Sequence, residues 1–204
     1  MLIAARYQVR TMTTADIAQV AAIERESFPT SWPQTAYRRE LANRLARYIV
    51  AVDSSAAVPE TSPRPRSFLG FLRRPPEPPP TTDCIIGYVG MWLMVDEAHI
   101  VAIAVREEYR RQGLGELLLA EAIQIALASG QENVTLEVRR SNTGAQALYE
   151  RYGFLKVGVR PRYYSDNRED AVIMSTPPIR SGSYQERFAE LRRSHARRWS
   201  RESD

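Results

Sequence analysis

The chain has 204 residues, with 28 Lys or Arg against 24 Asp or Glu, for a net charge of +4. At 44% hydrophobic and 25% charged residues it can bury one sizeable core and still carry appendages. One cysteine (Cys84) and two histidines (His99, His195) exclude an intrachain disulfide and a zinc cluster, and no apolar run reaches membrane-span length. The first ten residues lack the apolar core of a signal peptide, so a soluble, cytoplasmic protein is expected. The mild basicity suits an anionic ligand or nucleic acid and decides neither.

Tyr7 to Arg10 alternates apolar and polar residues and predicts a first strand. Thr13 or Thr14 can cap a helix that has Asp16 in its first turn and Ile17, Val20, Ala21 and Ile23 on its apolar side. That helix runs out near Phe28-Pro29, and Ser31-x-x-Gln34 has capping-box spacing for a second helix striped by Tyr37, Leu41 and Leu45. Tyr48 to Val52 predicts a second strand. Residues 54–82 are rich in Pro, Ser and Thr, which points to a flexible insertion; its apolar island is Phe68 to Leu72. Such an insertion is either a tolerated loop or a basic, extended arm for a partner.

Cys84 to Val95 predicts a long strand broken by Gly87 and Gly90, turning at Asp96-Glu97 into a neighbour over Ala98 to Val105. A helix over Glu116 to Ala128 ends at Ser129-Gly130. Val134 to Val138 is the next strand, Asn142 to Tyr152 a helix closed by Gly153, and Phe154 to Arg160 with Ala171 to Ser175 a final hairpin. Beyond Pro177-Pro178, the spacing of Tyr184, Phe188, Leu191 and His195 predicts a helix, with five arginines and no acid between Leu191 and Arg201. That tail, 177–204, either lays its aromatics on the domain formed by 1–176 or grips rRNA weakly through charge. Truncation at Pro178 is expected to leave the protein's function unchanged.

The stretch Val101 to Gly115 carries the chemistry. A β-branched run passes through a charged turn into Gly113-x-Gly115, where a helix begins. A helix start offers unpaired N–H groups and partial positive charge, and glycines let an anion approach the backbone. Arg110-x-x-Gly113-x-Gly115 resembles the acetyl-CoA pyrophosphate loop of the GNAT superfamily of N-acetyltransferases. Ile103-Ala104-Val105, Leu136-Glu137-Val138-Arg139-x-Ser141-Asn142 and Ala147-Leu148-Tyr149-Glu150-x-x-Gly153-Phe154 follow in that family's order. Arg162-Tyr163-Tyr164 and Glu169-Asp170-Ala171-x-x-Met174 resemble its RimI branch, the ribosomal-protein-alanine N-acetyltransferases. The similarity runs roughly from Tyr7 to Ser175.

The resemblance implies an α/β fold whose mixed central sheet has splayed parallel strands and helices on both faces. It implies that the backbone of Arg111, Gln112, Gly113, Leu114, Gly115 and Glu116 holds the pyrophosphate of acetyl-CoA. Ile103, Ala104 and Val105 would pair with the pantetheine amides, and Asn142 would hydrogen-bond the same arm. Glu137 is expected to take the ammonium proton and Tyr149 to protonate the departing sulfur, with no metal and no acyl-enzyme. Phe28 and Trp32, with Tyr163 and Tyr164, would wall a groove for a protein N-terminus, that of a small-subunit ribosomal protein. Two other functions fit the sequence: a relaxed peptide or small-amine acetyltransferase, and a non-catalytic acyl-CoA-binding adaptor. His99 and Cys84 read as structural, and the protein as a monomer or weak dimer.

Overall fold

The structure is a computed structural model and describes residues 6–30, 32–56 and 82–201. Its strands are β1 (Tyr7–Thr11), β2 (Ala46–Asp53), β3 (Cys84–Leu93), β4 (Glu97–Val105), β5 (Asn133–Arg139), β6 (Leu155–Arg160) and β7 (Ala171–Ser175). They form one sheet in the order β1-β2-β3-β4-β5-β7-β6. Every neighbouring pair is antiparallel except β4 and β5. The helices are α1 (Ile17–Ser27), α2 (Gln34–Ala42), α3 (Leu114–Ala128), α4 (Thr143–Arg151) and α5 (Gly182–Arg201). The mixed α/β class and the element order agree with the sequence reading.

β2 and β3 are apolar along nearly their whole length because both faces of the sheet are covered. Tyr48, Val50 and Val52 pack with Val20 and Ile23 of α1 and Tyr37 of α2. Ile49 and Ala51, pointing the other way, pack with Leu118, Leu119 and Ile123 of α3. The second cluster also takes in Tyr184, Phe188 and Trp199 of α5, so the aromatics of the C-terminal helix are part of the domain's core.

Three local readings change. Gly87 and Gly90 do not break β3. Gly90 pairs with Tyr48, and a Cβ there would stand 2.2 Å from the Tyr48 ring, so its missing side chain is where the aromatic lies across the strand. α2 starts at Gln34 behind Pro33, with no side-chain cap; Ser31 lies outside the described residues. The first cap is a box between Thr13 and Asp16 on a single 3-10 turn ahead of α1. The island Phe68 to Leu72 also lies outside the described residues. On either side of it, Asp53 pairs with Cys84, and Gln19 bridges the Asp83 carbonyl and the Ile85 N–H.

Candidate active site

β4 and β5 are paired only over Glu97–Ile100 and Asn133–Leu136. Beyond that point β4 stays bonded to β3, and β5 to β7, while the two strands part. Arg106 donates its N–H to Ile86, which fixes the alternation along β4. Ala104 therefore spends its backbone groups on Tyr88, and those of Ile103 and Val105 face the gap. Ile103 thus presents its N–H and C=O to the gap and Val105 its N–H, the Val105 carbonyl accepting from Arg110 Nε at 3.1 Å.

At the mouth of the gap the chain makes two left-handed turns, Arg111 at φ 65° and Gly113 at φ 82°, before α3 begins. A non-glycine residue held there costs about 1–3 kcal/mol, and such strain gathers at ligand clamps. Gly113 has no side chain to cap the helix, so the N–H groups of Leu114, Gly115 and Glu116 have no intrahelical acceptor. A Cβ at Gly115 would meet only Leu148, at 3.9 Å, which leaves open space in front of those donors. The Glu116 carboxylate would repel an anion, but it is turned into the core. Arg198 reaches it at 2.6 Å, the Tyr152 hydroxyl at 3.0 Å, and Arg151 also pairs with it.

The gap opens into a cavity of about 520 Å3. Phe28 and Trp32 from the α1–α2 connection, Tyr163 and Tyr164 from the β6–β7 connection, and Glu137, Asn142 and Tyr149 all line it. The structure thus brings together, at one cavity, acid, phenol and aromatic walls that lie up to 136 residues apart in the chain. Arg139 holds the β6–β7 side in place. Its guanidinium lies 3.8 Å over the Tyr164 ring and bonds Asp166 at 2.8 Å and Glu169 at 3.2 Å. Hydrogen bonds from the Ser141 hydroxyl and N–H hold the Glu169 carboxyl down at about 2, which ties that connection to the start of α4.

Glu137 is held from two sides, by His99 Nε2 at 2.9 Å and by Arg160 at 2.9 Å. His99 is stacked on Trp92. It therefore orients the candidate base rather than filling space on a strand. Tyr149 is buried, and burial raises its pKa, with the nearby Tyr164 adding to the effect, so the phenol keeps its proton at neutral pH. No hydrogen-bond partner holds its hydroxyl among the described residues. Asn142 commits Oδ1 to capping α4, accepting from Ala145 at 3.1 Å, and has only its NH2 left to donate.

Three lining residues, Glu24, Ser27 and His99, and one beside the cavity, Arg160, escaped the sequence reading as parts of the site. Glu24, on α1, is buried and accepts hydrogen bonds from Tyr37, at 2.9 Å, and from Tyr88. Ser27 has an Oγ without a partner among the described residues. Arg160 and His99 each contact the Glu137 carboxylate. Nothing nearby in sequence marks them, because every partner comes from another element. Cys84 lies in β3 with its thiol pushed up by burial, away from this cavity.

The sheet opens at the parallel pair β4 and β5, with the uncapped start of α3 at the mouth and an acid and a phenol inside, an arrangement suited to moving a group between two bound partners. The signature of the acetyltransferase (GNAT) family matches residues 17–154, and the chain belongs to that family. The Putative ribosomal protein bS18-alanine N-acetyltransferase of Bacillus subtilis (strain 168) is 35% identical over 167 residues, 81% of this chain and 92% of its own. An N-alpha-acetyltransferase of Sulfurisphaera tokodaii is 31% identical over 172 residues, 84% of this chain and 93% of its own. The crystal structure of the ribosomal-protein-S18-alanine N-acetyltransferase from Escherichia coli superposes with a TM-score of 0.67 at 26% identity, over 86% of this chain and 96% of that one.

Proposed function

We propose that the protein transfers the acetyl group of acetyl-CoA to the N-terminal α-amine of a protein, the N-terminal alanine of a small-subunit ribosomal protein being the substrate. The observation that carries this reading is the placement of Glu137 and Tyr149 in one aromatic-walled cavity that opens onto the unpaired edge of β4. The fit to acetyl-CoA rests on the open space before Gly115 and the donors of the first α3 turn for the pyrophosphate, and on Ile103 and Val105 for the pantetheine amides. The substrate class is supported by what the similar bacterial enzymes are named for.

Glu137 takes the proton of the incoming ammonium, directly or through water, while His99 and Arg160 hold its two oxygens. A backbone N–H on the gap side of β4 stands ready for the thioester oxygen. Tyr149, neutral and otherwise unbonded, gives its proton to the departing sulfur. Phe28, Trp32, Tyr163 and Tyr164 shape the groove for the peptide, and the partnerless Ser27 Oγ adds a polar contact within it. The acids at the cavity already serve other groups: Glu24 two tyrosines, Asp166 Arg139, and Glu137 its own pair. That leaves little to recognise a polyamine.

Mass spectrometry of acetyl transfer onto a panel of N-terminal peptides and polyamines tests this, with acetylation of Ala-initiated peptides expected. Preferential acetylation of polyamines would overturn it. A positioned acid or base contributes roughly a hundred- to ten-thousand-fold in rate, so Tyr149→Phe and Glu137→Gln should each lower kcat by about that much, with CoA affinity little changed. The Glu137→Gln loss should shrink about one to two pH units above neutrality, where a terminal amine is already deprotonated. Near-normal turnover in both variants would remove these roles.

A further inference from the structure

The C-terminal helix does more than complete the core. The last turns of α5 lie behind the loop that precedes α3. The Trp199 indole N–H donates to the Gln112 carbonyl at 2.9 Å. His195 Nε2 stands 3.0 Å from the Gly113 carbonyl, and since a carbonyl only accepts, the imidazole donates. The two rings pack on each other with centroids 4.6 Å apart, and both are buried. Gly113 is pressed against them. A Cβ there would come within 2.8 Å of Trp199 Nε1 and 3.0 Å of His195 Nε2.

The two carbonyls belong to consecutive peptide units. In a planar trans peptide the C=O and the following N–H point in opposite directions. A donor holding the Gln112 oxygen from behind therefore aims the Gly113 N–H forward, and one holding the Gly113 oxygen aims the Leu114 N–H forward. We propose that His195 and Trp199 are positioning residues for acetyl-CoA: they fix two peptide planes of the anion loop from the rear so that its N–H groups converge on the pyrophosphate. The proposal rests on the reading that residues 111–116 cradle that group.

The rest of α5 is built to hold these two side chains still. Tyr184 donates to the Tyr152 carbonyl at 3.0 Å, and Arg192 reaches Glu121 at 3.2 Å and Gln124 at 2.8 Å. Arg198 and Arg151 neutralise Glu116, the one acid of the first α3 turn, which would otherwise oppose a phosphate. From the opposite flank, Tyr7 donates to the Gln112 side chain at 2.9 Å, so the loop is braced at both ends. Burial pulls the His195 pKa down, more than the nearby Glu116 carboxylate raises it. The ring is therefore neutral at pH 7, with its single proton on Nε2.

The test uses the full-length protein with three substitutions: His195→Ala, which deletes one donor; Trp199→Phe, which keeps a ring and deletes the other; and His195→Gln, whose amide can reach the same carbonyl. CoA affinity is measured by calorimetry, KM for acetyl-CoA and for peptide with kcat by steady-state assay, and folding by thermal melting. His195→Ala and Trp199→Phe should each weaken CoA and raise the acetyl-CoA KM about tenfold, while kcat at saturation and the peptide KM stay within about twofold. His195→Gln should recover most of the affinity. Unchanged CoA affinity in folded His195→Ala and Trp199→Phe would overturn the proposal. So would a general loss in which peptide KM rises, kcat falls and Gln rescues nothing, for then α5 only stabilises the fold. If Trp199→Phe behaves as wild type while Gly115→Val abolishes CoA binding, the cradle stands and the brace fails. If Gly115→Val binds normally, the cradle reading itself falls, and this one with it.

Discussion

Glu24 carries its carboxyl into the wall of the cavity, where water is scarce. Burial raises its pKa above the ordinary glutamate value, against the lowering pull of hydrogen bonds from Tyr37 and the Trp32 backbone. A carboxyl with a raised folded pKa favours the fold below its unfolded pKa, near 4.5, and loses that advantage as pH rises through the folded value. Glu24→Gln removes the titration while keeping an oxygen for the two tyrosines. Its melting temperature relative to wild type should therefore improve from about pH 4.5 to 8, and a difference that is flat in pH would show that burial does not penalise the charge. Glu137 and Tyr149 were legible in the sequence because each sits inside a local motif with fixed spacing to Asn142. Glu24 was not, because the tyrosines that hold it lie 13 and 64 residues away. The contact of His99 with Glu137 is illegible for the same reason: the two side chains meet only once β4 and β5 pair, with His99 opposite Thr135. Gly113 was legible as a turn, but its reason was only half visible. The positive φ follows from the pattern, whereas the wall a side chain would strike belongs to α5.

Element by element, most strands and helices follow the apolar periods of the sequence, since each period is a local quantity, but α2 ends at Ala42 and leaves Leu45, expected on its stripe, exposed. What the periods did not carry were irregularities imposed from across the sheet. β3 shifts register against β4 at Gly90/Met91, and β2 against β3 at Ala51/Val52. Gly90 reads as a strand breaker in isolation and proves to be room for Tyr48. Gly90→Ala should accordingly destabilise by about 1–3 kcal/mol, the usual range for overpacking, and Tyr48→Leu should relieve much of that in a double-mutant cycle measured by urea unfolding. If the two losses simply add, the ring is not what excludes the methyl. Residues 57–81 can be judged from their anchors alone. Asp53 and Cys84 are register partners, Ser54 donates its N–H to the Arg6 carbonyl, and Arg10 binds Asp83 at 2.9 Å. Both ends are pinned side by side, so a short Gly-Ser turn can join them. Shortening a loop changes its closure cost by only about 0.6 kcal/mol per factor of two. Replacement of 57–81 by such a turn should leave the melting temperature within a few degrees, and a large drop would mean that the excised residues pack on the fold.

At the scale of the whole molecule, the parting of β4 from β5 could not be read from periodicity. Both strands look complete in sequence, and only pairing shows that they share four residues each. The docking of α5 does have a signal in the sequence. α3 buries Leu117, Leu118, Leu119 and Ala120 in succession, and a helix apolar on more than one face needs a cover on each. The sheet covers one, and α5 lies on another. The packing of α5 leads to a prediction opposite to the expectation that the tail is dispensable. Tyr184, Phe188 and Trp199 are each more than nine-tenths buried, and large apolar side chains contribute about 1.5–3 kcal/mol each. A chain cut at Pro178 should melt about 10 °C lower or more, at roughly 2–4 °C per kcal/mol for a protein of this size. An unchanged melting temperature would show that α5 rests on the surface without supporting it. The same helix brings late residues back to early ones, for the Trp199 ring lies 5.5 Å from that of Tyr7 at the start of β1. Among the described residues, the end of α5 thus lies beside the start of β1. Joining the region after Trp199 to the region before Tyr7 by a short flexible linker, and opening new ends between β2 and β3 within residues 57–81, would give a circular permutant with every strand pair and the cavity intact. It should fold and transfer acetyl groups at close to the parental rate, although its first residue would come from the middle of the present chain.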